Sequence, residues 1–164
     1  MKPLRAPNFG TYFVSASTWE RRALFRSEPM ARLLVDTLYH YRAEGRFALH
    51  EFVVMPDHIH LLITPNGITL ERALQFIKGG YSHRVGTELN SSAAVWQRGF
   101  TDHRIRDAED YERHKLYLLQ NPVRARLVES ADEYPYSSAA PGFALDDVPQ
   151  RLKPVVLSAT LRHG

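Results

Sequence analysis

The chain contains no cysteine, which excludes disulfides and thiolate zinc sites. No apolar run approaches the roughly 20 residues that a membrane-crossing helix needs. The opening segment, Met1 to Pro7, lacks the apolar core of a signal peptide. A cytoplasmic protein with no membrane association is therefore the expectation. Internal repeats, low-complexity tracts and linker-like stretches are also missing, and 164 residues suit one domain with its own hydrophobic core. Lysine is scarce, with four lysines against seventeen arginines. Guanidinium forks match phosphates and base edges better than ammonium groups do. The net charge is only +3 and the pI is near 9.3, a weak lean toward a nucleic-acid partner. Arginines gather at Arg21-Arg22-Arg26, Arg104-Arg106 and Arg124-Arg126. Solvated ion pairs with the 18 acidic residues would account for most of them equally well.

Aromatic and β-branched residues from Thr11 to Ser17 predict a first strand. Pro29 opens a helix that carries apolar residues at helical spacing to Tyr41, and Gly45 stops it. Phe47 to Met55 and His58 to Thr64 read as antiparallel strands joined at Pro56-Asp57. A second helix begins near Thr69, with Gly79-Gly80 expected to interrupt or bend it before Tyr81 to Leu89. Ala94 to Ile105 is expected as a fourth strand or extended segment. Asp107 caps a last helix over Ala108 to Gln120, with Pro122 helping to end it. Beyond it, prolines at 135, 141, 149 and 154 predict an irregular wrapped tail with short helices. The order β-α-β-β-α-β is that of the split βαβ. It predicts an α+β fold, a ferredoxin-like antiparallel sheet with helices packed on one face. The last helix could then lie across the strand bearing His58 and His60.

Three segments carry candidate chemistry. In His58-Ile59-His60 the two imidazoles project from one face of a strand. The other strand residues are almost all apolar, so the pair needs partners. A divalent metal would serve, and so would structural hydrogen bonds. Tyr117 and Asn121 share one helix face. They read either as site residues or as a core tyrosine followed by a C-terminal Asn cap. Val95 to Asp107 mixes aromatics with arginines and could stack bases while holding phosphates. A strand with Trp96 and Phe100 in the core fits the same pattern.

In this order, these segments resemble the HUH single-tyrosine transposases, and within them the REP-associated tyrosine transposases. Met55-Pro56-Asp57-His58-Ile59-His60-Leu61-Leu62-Ile63 is similar to the family's histidine-hydrophobic-histidine strand. Trp96-Gln97-Arg98-Gly99-Phe100 with Asp102 to Asp107 is similar to its middle motif, and Tyr117 to Val128, centred on Asn121-Pro122-Val123-Arg124-Ala125, to its nucleophile helix. Tyr134-Pro135-Tyr136-Ser137-Ser138 matches a common closing motif. The resemblance spans about residues 8 to 140. It implies a transposase domain over 1–140, with 141–164 as an irregular C-terminal tail. Tyr117 would be the nucleophile, and His58, His60 and Asn121 the ligands of Mg²⁺ or Mn²⁺. Asn121 stands where relatives often carry Gln or another polar residue, and Arg126 where many carry Gly.

The activity implied is nicking and rejoining of single-stranded DNA through a 5′-phosphotyrosine. The implied partner is a hairpin with a short flanking guide sequence, bound in the nucleoid by a monomer or homodimer. Arg21, Arg22, Trp96, Arg98, Arg104, Arg106 and Arg124 are the candidate DNA contacts. His103 is a candidate for proton transfer or for structural support. Two other readings remain: a non-catalytic single-stranded nucleic-acid binder on the same kind of sheet, and a metal-dependent phosphodiesterase that uses water.

Overall fold

The computed structural model describes residues 10–155. In chain order its main elements are β1 (Tyr12–Ser17), α1 (Glu28–Ala43), β2 (Phe47–Met55), β3 (His58–Pro65), α2 (Leu70–Glu88), β4 (Thr101–Arg104) and α3 (Ala108–Arg124). The strands form one antiparallel sheet in the order β2-β3-β1-β4. This is the ferredoxin-like α+β arrangement expected from the element order.

Strand alternation divides the chain between the two faces of this sheet. Tyr12, Val14 and Ala16 of β1 join Ile59, Leu61 and Ile63 of β3 in the core beneath α1 and α2. On the opposite face, Val53, Met55 and Leu62 pack with Tyr111 and Leu118 of α3. The two helices of the split βαβ units thus cover one face, and α3 crosses the other, where β3 presents its histidines. Each helix begins on a side-chain cap. Ser27, Thr69 and Asp107 accept from the backbone N–H groups of Met30, Arg72 and Asp110 at 3.4, 3.0 and 2.8 Å.

Several expected boundaries are corrected. Gly79-Gly80 does not break α2, which is continuous from Leu70 to Glu88. A helical glycine costs about 1 kcal/mol, whereas burial of Ile77, Tyr81 and Val85 contributes about 1.5–3 kcal/mol for a side chain of this kind. Packing therefore outweighs propensity. The strand expected over 94–105 shortens to Thr101–Arg104. Gly99 adopts φ +78° just before it, and Trp96 makes only an isolated bridge to Thr18. Helix α3 runs through Pro122 to Arg124, because a proline in the last turn removes a single intrahelical bond. The chain then leaves the helix with Arg126 at φ +60°, a left-handed conformation that costs glycine nothing.

The tail protects an edge. β2 is an outer strand, and Val54 donates to the Tyr136 carbonyl at 2.8 Å, Ser138 to the Phe52 carbonyl at 2.9 Å and Asp146 to the Leu49 carbonyl at 2.8 Å. Leu152 is fully buried beside α3. Part of the segment after residue 140 is therefore bound into the domain. Among the described residues, no helix is long and apolar enough to cross a membrane.

The two glycines of α2 differ in their surroundings. A Cβ on Gly79 would meet nothing within 4 Å, whereas one on Gly80 would overlap the phenol end of Tyr41. Gly79→Ala should stabilise the protein by about 1 kcal/mol, or roughly 2–4 °C in Tm. Gly80→Ala should gain nothing or lose stability, because Tyr41 must move away. Thermal unfolding of both variants checks the contrast, and equal gains would refute it.

Candidate active site

The site grows from the register of β1 against β3. Ser17 lies opposite His58 and Ser15 opposite His60, so all four side chains emerge on the α3 face. The imidazoles are neighbours, with ring centroids 4.7 Å apart. Each is held through Nδ1. His58 Nδ1 lies 2.7 Å from Asp57 Oδ1, and His60 Nδ1 lies 2.6 Å from Ser15 Oγ. Contacts at Nδ1 leave both Nε2 atoms without a hydrogen-bond partner among the described residues, the arrangement that orients metal-binding histidines.

Electrostatics favour the uncharged imidazole. Burial, then His58 and the guanidiniums of Arg124 and Arg21, push His60 down to about 3. At neutral pH its imidazole is uncharged. Burial of Asp57 works against ionisation, but the hydrogen bond and charge of His58, together with Arg21, hold its carboxyl below the usual range. Arg21 Nε donates to Asp57 Oδ2 at 3.1 Å, and its Nη1 donates to Ser17 Oγ at 3.1 Å. Glu20 and Arg21 both take positive φ, near 54° and 55°. A tight left-handed turn thus brings Arg21 back over the strand ends.

Helix α3 supplies the opposite wall. Tyr117 and Asn121, one turn apart, line a cavity of about 580 Å³ together with Ser15, Arg21, His58, His60 and Arg124. Tyr117 is 48% exposed. Its ring sits 5.6 Å from that of His60 and packs edge-on to Phe13. The Arg124 guanidinium lies over it at 4.4 Å and donates to the Tyr117 carbonyl at 2.7 Å. One chain therefore holds two histidines, an amide, a tyrosine and two arginines around a single cavity.

The other predicted contacts lie elsewhere. Trp96 is not offered as a stacking surface. Its ring packs against Phe25 and Tyr81, and its Nε1 donates to the Lys78 carbonyl, so it serves the core. Arg22 is paired with Glu20 at the surface, and Arg98 and Arg104 are exposed outside the cavity. Arg106 contacts Asp110 through its backbone N–H at 2.9 Å and through its guanidinium at 3.5 Å. His103 Nε2 lies 2.8 Å from the Asp110 carboxylate, a supporting contact outside the cavity.

His103, Asp110 and His114 also form a possible cation cluster. Burial would raise the Asp110 carboxyl, but the Arg106 N–H, His103 and Arg113 hold it well below the usual range. Two guanidiniums already share this carboxylate.

Ser15 and Asp57 were not singled out in the sequence. A weak signal existed, since Ser15 and Ser17 are the polar positions on one face of an otherwise apolar strand, and Asp57 directly precedes His58.

A ferredoxin-like sheet whose paired histidines face a tyrosine-bearing helix defines the class. The sequence matches the family described as "Transposase IS200 like" over residues 11–121, and the chain belongs to that family. Its similarity extends to REP-associated tyrosine transposases. It is 27% identical over 131 residues to the REP-associated tyrosine transposase of Escherichia coli (strain K12), covering 79% of this chain and 76% of that protein. Its fold is similar to the solved structure of a REP-associated tyrosine transposase bound to a REP hairpin, with a TM-score of 0.65 and 23% identity. That match covers 95% of this chain and 99% of the other.

Proposed function

We propose that this transposase-family chain cuts and rejoins single-stranded DNA at hairpins through a 5′-phosphotyrosine on Tyr117. His58, His60 and Asn121 would hold Mg²⁺ or Mn²⁺. The observation that carries this reading is the half-exposed Tyr117 on the cavity that His58 and His60 line. The donor set fits a divalent cation: two imidazoles anchored at Nδ1 and one amide oxygen, with room left for a phosphate. When bound, such an ion acts as a Lewis acid toward a phosphoryl oxygen.

The chain's own groups do the rest. Arg21 and Arg124 bring positive charge to the cavity and hold the strand's phosphates. The Tyr117 oxygen bonds to phosphorus as the bond to the 3′ oxygen breaks. The phenol proton passes to solvent, and the departing 3′ oxygen takes up a proton. One phosphodiester replaces another, so a second strand's 3′-OH can reverse the step without an external energy source. A water nucleophile would instead end the reaction. The lining of the cavity by residues of one chain supports a site that acts in cis.

The test is incubation of labelled single-stranded hairpins from the DNA flanking the gene with protein and Mg²⁺ or Mn²⁺. An adduct that survives SDS, disappears with EDTA and maps to the Tyr117 peptide is the expected result. Cleavage without an adduct would favour water-driven hydrolysis, and tight binding without cleavage a non-catalytic binder.

A further inference from the structure

A second cavity, of about 340 Å³, adjoins the first on the far side of Tyr117 and shares Ser15, His60 and Tyr117 with it. The site described above makes no use of its other walls. Phe13 forms an aromatic surface, with its ring 5.1 Å from those of both His60 and His114 and 6.0 Å from that of Tyr117. Arg113 stands at the rim with its side chain 58% exposed. Aromatic walls with a guanidinium beside them suit a flat, polar-edged ring.

His114 is fixed in place. Its Nδ1 lies 2.8 Å from the carbonyl of Asp110 one turn earlier, and its ring stacks on His103 at 4.5 Å. With Nδ1 engaged, His114 has Nε2 left for a further hydrogen bond, while Arg113 offers donors. The cavity is therefore lined by an imidazole and a guanidinium, both able to bond the polar edge of a nucleobase.

We propose that this cavity holds one unpaired nucleobase, that of a nucleotide adjoining the scissile phosphate, with Arg113 and His114 contacting its edge. The proposal rests on the nicking reading above. The two cavities are continuous through Tyr117. A strand whose phosphate reaches the nucleophile must send its neighbouring bases somewhere, and this is the adjoining aromatic recess. The occupant would give the enzyme a base preference at the cut.

The test uses a strand whose cleavage position has been fixed by adduct formation with the native protein. A fluorescent adenine analogue replaces each nucleotide in turn, and fluorescence is read on binding to Tyr117→Phe protein. Quenching by stacking is expected at one nucleotide flanking the cut. Adding His114→Ala or Arg113→Gln should weaken that signal's half-saturation about tenfold, while binding followed by a distant label changes less. Circular dichroism confirms that both variants fold. Equal brightness at every position, or quenching unmoved by both substitutions, would overturn the proposal and leave the nicking reading intact. Failure of every hairpin to form an adduct would overturn both.

Discussion

Tyr117→Phe is expected to abolish covalent capture of DNA while leaving the strand bound. The substitution keeps the ring that packs edge-on to Phe13 and lies under the Arg124 guanidinium. It removes only the oxygen. Tyr117 is half-exposed, and among the described residues no hydrogen bond to its hydroxyl is present to be lost, so stability should change little. Loss of a covalent nucleophile lowers turnover by about 10⁴-fold or more. Rates of adduct formation on a labelled hairpin, set beside gel-shift affinities, measure both halves of the expectation. An adduct formed at the native rate by the variant would mean that another group attacks.

The second large effect concerns the cation. His60→Ala should take Mn²⁺ binding out of the measurable range, because it removes a buried, neutral and pre-oriented ligand. Asp57→Asn is the subtler test. It keeps the shape of the side chain but removes the charge that orients His58 through a 2.7 Å contact and that pairs with Arg21. Loss of such an outer partner weakens metal binding about 10- to 100-fold. Titration of metal-free protein with Mn²⁺ by calorimetry gives both values. Unchanged affinity in His60→Ala would move the cation to another cluster. His103, Asp110 and His114 would be next to test, despite the arginines that share that carboxylate.

What the sequence determined by itself was whatever depends on short-range periodicity. The order of strands and helices, the pairing of Phe47–Met55 with His58 onward, and the common face of His58 and His60 all follow from a repeat of two within a strand. Tyr117 and Asn121 share a face for the same local reason, four residues apart on a helix. The motifs around His58 and Tyr117 were legible because they lie within such elements, whereas Trp96–Phe100 and Tyr134–Ser138 lie outside them. Which side chains from distant elements meet depends on how the sheet and helices pack. Ser15 reaches His60 through the β1–β3 register across 45 residues, and no local pattern specifies that pairing. Trp96 sits in a segment that could equally expose or bury it, and packing with Phe25 and Tyr81 drew it inward. Among the seven DNA-contact candidates, only Arg21 and Arg124 line the cavity. Gly79-Gly80 looked like a break and is not one, because burial along α2 exceeds the local cost of two glycines. Local preferences are worth a kilocalorie or less per residue, and the packing of the sheet faces outweighs them wherever the two disagree.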